Sequence, residues 1–350
     1  MTKTTLPQES ASQQIVVSRT NFPSTVEYAD ADYEEVSVEE GFQQDRPHFI
    51  EGNSIQISLY DLKNRCVVPT WADNTLTISH QNFITAVQKA ALDVFPSESI
   101  GEPEIRVSHA QYGRIPSALH KKTSDLLPHE KTLYYQRVCF MIKVSRKDYI
   151  NGRETSLVVG GVRALNNENL GVRKSPEKFK IFIGSRVTVC SNLCIFGDAM
   201  IDKLECMSPV EIYSQAVRLF RGFDPELNHQ MLESLGTTHL SVDDFTHIIG
   251  RMRLYEALSP AQRNELQLPT LTLGDSVLNA ATRNFVSNPN FGIGNGTSIT
   301  CWQLLNLLNE AVKSSYIDKF LQRMVQATDL SFGIMNAING EKNRYAWFIQ

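Results

Sequence analysis

The pattern of apolar residues along this 350-residue chain becomes predominantly helical after Cys190. Before that point, residues 133–144, 156–165 and 178–190 are rich in Val, Ile, Phe and Tyr, and Asn151-Gly152 separates the first two segments. Such residues favour strands, and an Asn-Gly pair favours an antiparallel hairpin. After Cys190 the apolar residues recur three and four positions apart, which indicates helices. The sequence therefore predicts an α+β fold, with an antiparallel sheet and one helix in the N-terminal half and a mostly helical C-terminal half.

Local signals place several of these elements. The alternation over residues 54–59 predicts a strand, with Val67-Val68 as its partner, and Ser79 is a candidate N-cap for a helix that Pro96 would end. In the C-terminal half, helical spacing covers residues 208–221, 225–235, 241–257, 259–266, 274–286 and 300–327. Ser241 and Asp275 are candidate helix caps.

Residues 1–47 have too few apolar side chains to offset the entropy lost on ordering, so we expect an acidic disordered tail. A sheet domain (48–200) and a helical region (201–350) would follow. The tail either keeps the chain in solution or regulates it as a mimic of nucleic acid.

Charge is distributed unevenly. Residues 1–104 contain 6 Lys and Arg against 16 Asp and Glu, whereas residues 105–190 contain 16 against 6. A basic middle beside an acidic head predicts either a surface that binds a polyanion or an internal pairing of the two charges. Both alternatives stay open from the sequence.

Cations alternating with tyrosines in the basic middle are typical of a sheet that binds single-stranded nucleic acid. The alternative is a sheet with a solvated outer face, since alternate side chains point to opposite faces. The candidate phosphate contacts are Arg114, Lys121, Lys122, Arg173, Lys174 and Arg186.

Residues 108–116 combine polar and aromatic side chains at a strand end, where loops often carry function. His109 is a candidate general base and Arg114 a candidate anion clamp, with Tyr112 between them. The alternative is that His109 satisfies a local hydrogen bond.

Three other motifs give weaker indications of function. The glycine-rich run 291–298 precedes a helix and could cradle a phosphate, but it lacks a Walker lysine, and a connector capped by Thr297 or Ser298 fits it better. Asp243, Asp244 and His247 have metal-ligand spacing, yet acidic residues in a first helical turn explain them. Cys190, Cys194 and Cys206 lack zinc spacing. We predict no metal and no cofactor, and we favour a protein without enzymatic activity.

No apolar stretch is long enough to span a bilayer, and the first residues do not resemble a secretory signal. Six cysteines stand in apolar surroundings rather than in a disulfide framework. These features predict a cytoplasmic protein with reduced thiols.

Two short segments carry a resemblance. Residues 184–194 contain Arg186 and, four residues later, Cys190-Ser191-Asn192, and residues 302–308 begin with Trp302. These resemble phage- and plasmid-related proteins of unknown function, in which a strand ends at such an asparagine turn and helices follow; we therefore add Asn192 to the candidate functional turns. Leu305 departs from that pattern, which has an aromatic residue before Asn306.

Residues 108–116, Tyr134-Tyr135 and residues 313–318 are similar to an uncharacterised family found on bacterial mobile elements. The likeness covers about residues 48–330. The resemblance implies a mobile-element or phage context and supplies no catalytic residues.

We therefore expect a mobile-element protein that binds nucleic acid, single-stranded in our leading hypothesis. One alternative is an interaction module that antagonises a host defence or replication protein through the helical half. Another is an enzyme acting on a nucleotide or phosphodiester, with His109 and Arg114 near residues 292–296. A homo-oligomer also stays open.

Overall fold

The computed structural model describes residues 47–68, 77–118, 120–168 and 175–350. Residues Pro47–Gln350 form one compact unit. Except for Pro47, the acidic tail expected over residues 1–47 lies outside the described residues, and so do Arg173 and Lys174.

The strands are β1 (Ile55–Ile57), β2 (Glu104–Val107), β3 (Ala110–Arg114), β4 (Lys131–Tyr135), β5 (Arg137–Ile150), β6 (Arg153–Ala164), β7 (Glu177–Val187), β8 (Leu193–Cys194), β9 (Met200–Cys206), β10 (His239–Ser241) and β11 (Ser298–Thr300). The helices are α1 (Leu59–Arg65), α2 (His80–Val94), α3 (Pro209–Gly222), α4 (Pro225–Ser234), α5 (Val242–Ala257), α6 (Pro260–Glu265), α7 (Asp275–Ser287), α8 (Cys301–Val312) and α9 (Ile317–Ile338). The predicted α+β class is confirmed, with the sheet in the N-terminal half and mainly helices after it.

The main sheet is antiparallel and has the strand order β1-β2-β5-β6-β7-β8, with β9 also paired to β7. Its centre is the hairpin of β5 and β6, in which Arg137 pairs with Ala164 at one end and Ile150 with Arg153 at the other. Asn151 adopts a positive φ of 48° and Gly152 one of 74° in the connecting turn. Two residues with positive φ are what a tight hairpin turn requires, so the Asn-Gly prediction is confirmed.

Helices cover both faces of this sheet. Phe83 of α2 packs with Phe140 and Phe179 in one core, which also includes apolar residues of α3. Met141 and Phe182, which point to the other face, belong to a second core with α5, α7, α8 and α9. Because both faces are buried, the middle strands are apolar at nearly every position rather than at alternate ones. The middle of the sheet therefore offers neither the open binding face of the leading hypothesis nor the solvated outer face of its alternative.

Local capping explains where several helices begin. Ser79 Oγ accepts a hydrogen bond from Asn82 N (3.0 Å) at the start of α2, and the helix ends just before Pro96. Ser241 forms a capping box with Asp244 at the start of α5. These two predicted caps are confirmed, because each hydroxyl satisfies an amide that has no partner in the first turn.

Four predicted boundaries are wrong in detail. The predicted helix 300–327 is two helices, α8 and α9, and the predicted strand 133–144 is divided at Gln136 between β4 and β5. Asp275 is the first residue of α7, not its cap. At Val67-Val68 the chain contributes only an isolated bridge from Cys66 to Leu133. Tertiary pairing decided these boundaries, which local periodicity does not determine.

Candidate functional site

Strands β3 and β4 continue the β2–β5 pair beyond the main sheet. Val107 pairs with Val138, and in the same register Ala110 pairs with Tyr135. Two residues on each strand lie between these pairs, so Ser108 stands opposite Arg137 and His109 opposite Gln136, and no residue is inserted. Ser108 N donates to Arg137 O (3.0 Å), and Arg137 N donates to Ser108 Oγ (3.2 Å). We call β3, β4 and the residues joining them (115–130) the ribbon.

One face of the ribbon carries cations and an aromatic ring. Arg114 and Lys131 are direct cross-strand partners, and Tyr112, two residues before Arg114, shares their face. The Tyr112 side chain is 73% exposed. An exposed cation beside an exposed aromatic ring could contact a ligand that carries negative charge and a planar ring.

Hydrogen bonds hold the residues that join β3 and β4. The Arg114 guanidinium donates to Lys121 O and to Thr123 Oγ1 (3.2 Å). Lys121 Nζ contacts Glu130 Oε1 (2.5 Å), and Glu130 Oε2 accepts from Leu127 N (2.9 Å). The hydrogen bond from Lys121 lowers the pKa of the Glu130 carboxyl. Arg114 and Lys121 thus hold the segment in place, while Lys122 and Lys131 remain exposed.

His109 lies at the base of the ribbon. Its side chain is exposed, and Nε2 lies 2.9 Å from Asn53 Oδ1, so the protonated nitrogen donates to the amide oxygen. An amide oxygen is uncharged and does not polarise an imidazole as a carboxylate would. The contact fits the local hydrogen-bond interpretation of His109 better than the general-base one.

Arg186 and Asn192 belong to a different environment. Arg186 contacts Glu104 Oε2 (3.3 Å) and donates to Ser191 Oγ (2.6 Å), so its charge is balanced inside the protein. Asn192 is fully buried and donates to the backbone and side-chain oxygens of Asn306 at 3.0 and 3.1 Å. Asn192 fastens the turn after β7 to α8, whereas Arg186 joins that turn to Glu104 of β2. The structure does not bring them to the ribbon.

A buried lysine strengthens the same attachment. Lys313 is fully buried, and its Nζ donates to Cys190 O and to Glu310 Oε2 (2.9 Å). The Lys313 backbone oxygen accepts from Glu51 N and Gly52 N, both at 2.9 Å. A side chain at Gly52 would clash with Ser314 O, only 2.4 Å from an added Cβ. The segment 313–318, quoted for the mobile-element resemblance, therefore joins α8, α9 and the chain before β1.

Seven cations of the predicted basic middle form ion pairs with described acidic side chains. The ion pairs join Lys121 to Glu130, Arg137 to Asp318, Arg146 to Glu226, Lys147 to Glu154, Arg163 to Glu168 and Glu177, Lys180 to Asp202, and Arg186 to Glu104. Of the six predicted phosphate contacts, Arg114, Lys121 and Lys122 lie together on the ribbon. Arg186 lies apart from them, and Arg173 and Lys174 fall outside the described residues.

Sequence reasoning missed the role of Arg163. The side chain is fully buried, with Nε 2.8 Å from Glu168 Oε1, and its guanidinium also contacts Glu177 and lies 4.8 Å from the Phe179 ring centroid. Burial raises the pKa of Glu177, an effect that Arg163 partly offsets. A signal was present, because Arg163 interrupts the otherwise apolar residues 157–165. A lone cation there indicates a buried ion pair.

The glycine-rich run lies at the other end of the β5–β6 hairpin from the ribbon. Arg153, at the start of β6, stacks over Phe291 with 5.6 Å to the ring centroid, whereas the ribbon joins β5 at Arg137. Roughly 35 Å of strand separates these ends at 3.3 Å per residue. The enzyme hypothesis, which required His109 and Arg114 beside residues 292–296, therefore fails geometrically. The cap of α8 is Thr300, not Thr297 or Ser298.

The other candidate ligands have structural roles. Asp244 Oδ2 accepts from Ser241 N (2.8 Å), and His247 Nε2 lies 2.7 Å from Gln350 O. The six cysteines, all within the described part of the chain, are unpaired, and burial raises the pKa of the Cys66, Cys190 and Cys206 thiols to about 11. Over the described ranges, no group of three His, Cys, Asp or Glu side chains is placed to hold a metal ion.

In the part of the chain that the structure describes, no helix has the length and apolarity to cross a bilayer. No curated protein and no solved structure matches the chain. One family model matches residues 31–349, which is most of the chain, and its description states neither a function nor a link to phages or mobile elements. The protein therefore belongs to the family described as "Domain of unknown function, B. Theta Gene description (DUF3871)".

Proposed function

We propose that this protein binds single-stranded nucleic acid through the ribbon and catalyses no reaction. The observation that carries the proposal is the exposed face on which Tyr112 accompanies two opposed cations, Arg114 and Lys131. Lys122 and Lys131 are exposed and form no ion pair with any described acidic residue. Exposed cations that lack an internal counter-charge can release condensed counterions on binding a phosphate backbone.

Tyr112 favours single strands over duplex. A largely exposed aromatic ring can stack on an unpaired base, and this stacking tolerates any sequence because every base has a π-face. A phosphate of the same strand would contact the exposed Lys131 beside the ring. In the part of the chain that the structure describes, helices cover both faces of the middle of the sheet, so we place the contact on the ribbon instead.

The test measures fluorescence anisotropy of a labelled single-stranded oligonucleotide across a salt series. We compare the double variant Lys122→Ala/Lys131→Ala with the control Lys203→Ala/Arg283→Ala, which removes two exposed cations from β9 and α7. The ribbon variant should reduce the slope of log K against log salt by about 1.4, at about 0.7 per phosphate contact, and the control should not. Equal effects of the two variants would contradict the proposal.

A Tyr112→Ala variant tests the stacking contact. We expect the single-strand affinity to fall about 5- to 150-fold, from about 1–3 kcal/mol of stacking per base, with an unchanged salt slope. Duplex binding should change little. A Tyr112→Phe variant keeps the ring and should retain the affinity; a loss as large as that of the alanine variant would show that stacking is not the contact.

The acidic residues 1–47 are a proposed competitor for the ribbon. They carry a charge opposite to that of the basic middle, although they lie outside the described residues except for Pro47. The chain lacking residues 1–47 should bind more tightly and with a steeper salt dependence. Unchanged binding would remove the regulatory role and leave the ribbon proposal intact.

A second candidate function is an interaction module that antagonises a host defence or replication protein. It is favoured by exposed apolar side chains on two helices in mutual contact, Val242 and Leu254 on α5 and Val286 on α7. The native chain should capture a host protein from lysate even after nuclease treatment. Charged substitutions at these three positions should abolish that capture. They should leave oligonucleotide binding unchanged.

A cytoplasmic location and an association with mobile elements also belong to the proposal. Six unpaired thiols support a reducing compartment, and the resemblance of residues 108–116 and 313–318 supports the genetic context. Fractionation of cells expressing the tagged full chain tests the location. Recovery outside the cytoplasmic fraction would contradict it.

A further inference from the structure

A cleft of about 490 Å³ opens between α3, α4 and the segment that leads into β9. Its apolar lining is Phe196, Ile201, Leu219, Phe223, Leu227 and Met231. This volume lies within the range of sites that bind small molecules, and such sites combine an apolar lining with a few placed polar groups. The cleft shares none of its lining residues with the ribbon.

Asn228 supplies the placed polar group. It lines the cleft, although its side chain is only 6% exposed. Ser185 Oγ donates to Asn228 Oδ1 at 3.0 Å, which orients the amide and assigns Nδ2 as the remaining donor. Nδ2 has no hydrogen-bond partner among the residues that the structure describes. Nδ2 is not among the buried atoms that lack a partner, so it is open to the cleft and can donate to a ligand in place of water.

The charged side chains that line the cleft bear on which ligand charge it accepts. Arg218 lies there with two carboxylates, Asp198 and Asp224. Asp224 Oδ1 accepts from Glu226 N (3.0 Å) and Leu227 N (3.1 Å) as the N-cap of α4, which keeps this carboxylate at the cleft. One cation against two anions disfavours an anionic ligand. The apolar lining, which includes the Phe196 and Phe223 rings, favours a flat apolar body.

We propose that this cleft binds an uncharged, flat, apolar small molecule that carries a carbonyl oxygen. The carbonyl accepts a hydrogen bond from Asn228 Nδ2, and the apolar body packs against Phe196, Leu219 and Phe223. The site is independent of nucleic-acid binding by the ribbon.

The test uses the full chain and Nile red, an uncharged flat dye with a carbonyl group that fluoresces in apolar sites. Gly222 lines the cleft, and a Cβ added there meets no atom within 4 Å. A Gly222→Leu variant therefore fills part of the cleft without a backbone clash. The matched control is Gly250→Leu on α5, where an added Cβ also meets nothing within 4 Å.

We expect saturable binding of one Nile red per chain, weakened at least tenfold in Gly222→Leu and unchanged in Gly250→Leu. An Asn228→Asp variant keeps the acceptor for Ser185 but loses the amide donor, so it should also bind the dye more weakly. Anionic 8-anilinonaphthalene-1-sulfonate should bind more weakly than Nile red. Thermal unfolding verifies that each variant is folded.

The proposal is overturned if the native chain shows no saturable dye binding, or if folded Gly222→Leu binds as well as folded Gly250→Leu. Oligonucleotide binding measured on the same variants should be unchanged, because the ribbon contains neither glycine. Failure of one proposal is thereby distinguished from failure of the other.

Discussion

The main sheet and the ribbon use basic residues in opposite ways. In the sheet, Arg163 is fully buried against Glu168 and Glu177. On the ribbon, Lys122 and Lys131 are exposed and form no ion pair with a described acidic residue. Both regions belong to the same basic stretch of sequence. The difference teaches that the net charge of a segment does not identify a binding surface, because each cation's function depends on the acids that the fold places beside it.

The largest expected effect comes from breaking the buried pair. Arg163→Ala leaves Glu168 and Glu177 without their counter-charge and the Ile78 carbonyl without its donor. The free energy of unfolding, measured with urea, should fall by about 3–5 kcal/mol. Lys203→Ala, at an exposed site, should change it by less than about 0.5 kcal/mol. A loss below about 1 kcal/mol for Arg163→Ala would remove the distinction between the two regions.

The second effect depends on pH. His80 is buried, its Nε2 donates to Tyr135 O (2.8 Å), and burial together with the Arg163 charge lowers its pKa to about 3. Between about pH 6.5 and 3 the unfolded chain binds a proton at His80 that the folded chain does not bind. The free energy of unfolding is therefore highest above about pH 6.5 and falls as the pH decreases through this range.

His80→Gln keeps a donor for Tyr135 O and removes the titrating group. Between pH 7.5 and 5 the native chain should lose about 2 kcal/mol more of its unfolding free energy than His80→Gln. Urea unfolding at several pH values measures the difference. The control His129→Gln, at an exposed ribbon position, should keep the native pH dependence. Identical slopes for His80→Gln and the native chain would contradict the assignment.

Arg186→Ala tests whether a predicted phosphate contact belongs to the sheet instead. It removes the contacts to Glu104 and Ser191 and should lower the free energy of unfolding by about 1.5–3 kcal/mol. Oligonucleotide affinity and its salt slope, measured without urea on the folded variant, should not change. A change in slope of about 0.7 would move Arg186 to the binding surface.

The smallest expected effect on stability is that of the ribbon cations. Lys122→Ala/Lys131→Ala should change the free energy of unfolding by less than about 0.5 kcal/mol, because neither side chain has an ion pair to lose. Removing Lys131 also relieves its repulsion with Arg114. Urea unfolding of the same variant used for oligonucleotide binding makes the comparison direct. A large destabilisation would mean that these lysines, like Arg163, have structural roles.

The sequence by itself determined the elements whose causes are local. Ser79 and Pro96 delimit α2 because a hydroxyl caps free amides and a proline cannot continue a helix. Asn151-Gly152 determines the β5–β6 turn because both residues tolerate positive φ. The α+β class follows from the change of period near Cys190. Three of the predicted phosphate contacts also lie together on the ribbon because they are close in the chain: Arg114, Lys121 and Lys122.

Only the tertiary structure decided which charges pair. Glu104 meets Arg186 across 82 residues of chain, and Lys313 meets the carbonyl of Cys190 across 123. No local pattern records such contacts, because strand order and helix packing create them. The same holds for the cleft, where Asn228 meets Ser185 from another element. A sequence shows how many cations a region has, but the fold decides which of them are left to bind a ligand, because an acid brought close by folding neutralises a cation wherever it lies in the chain.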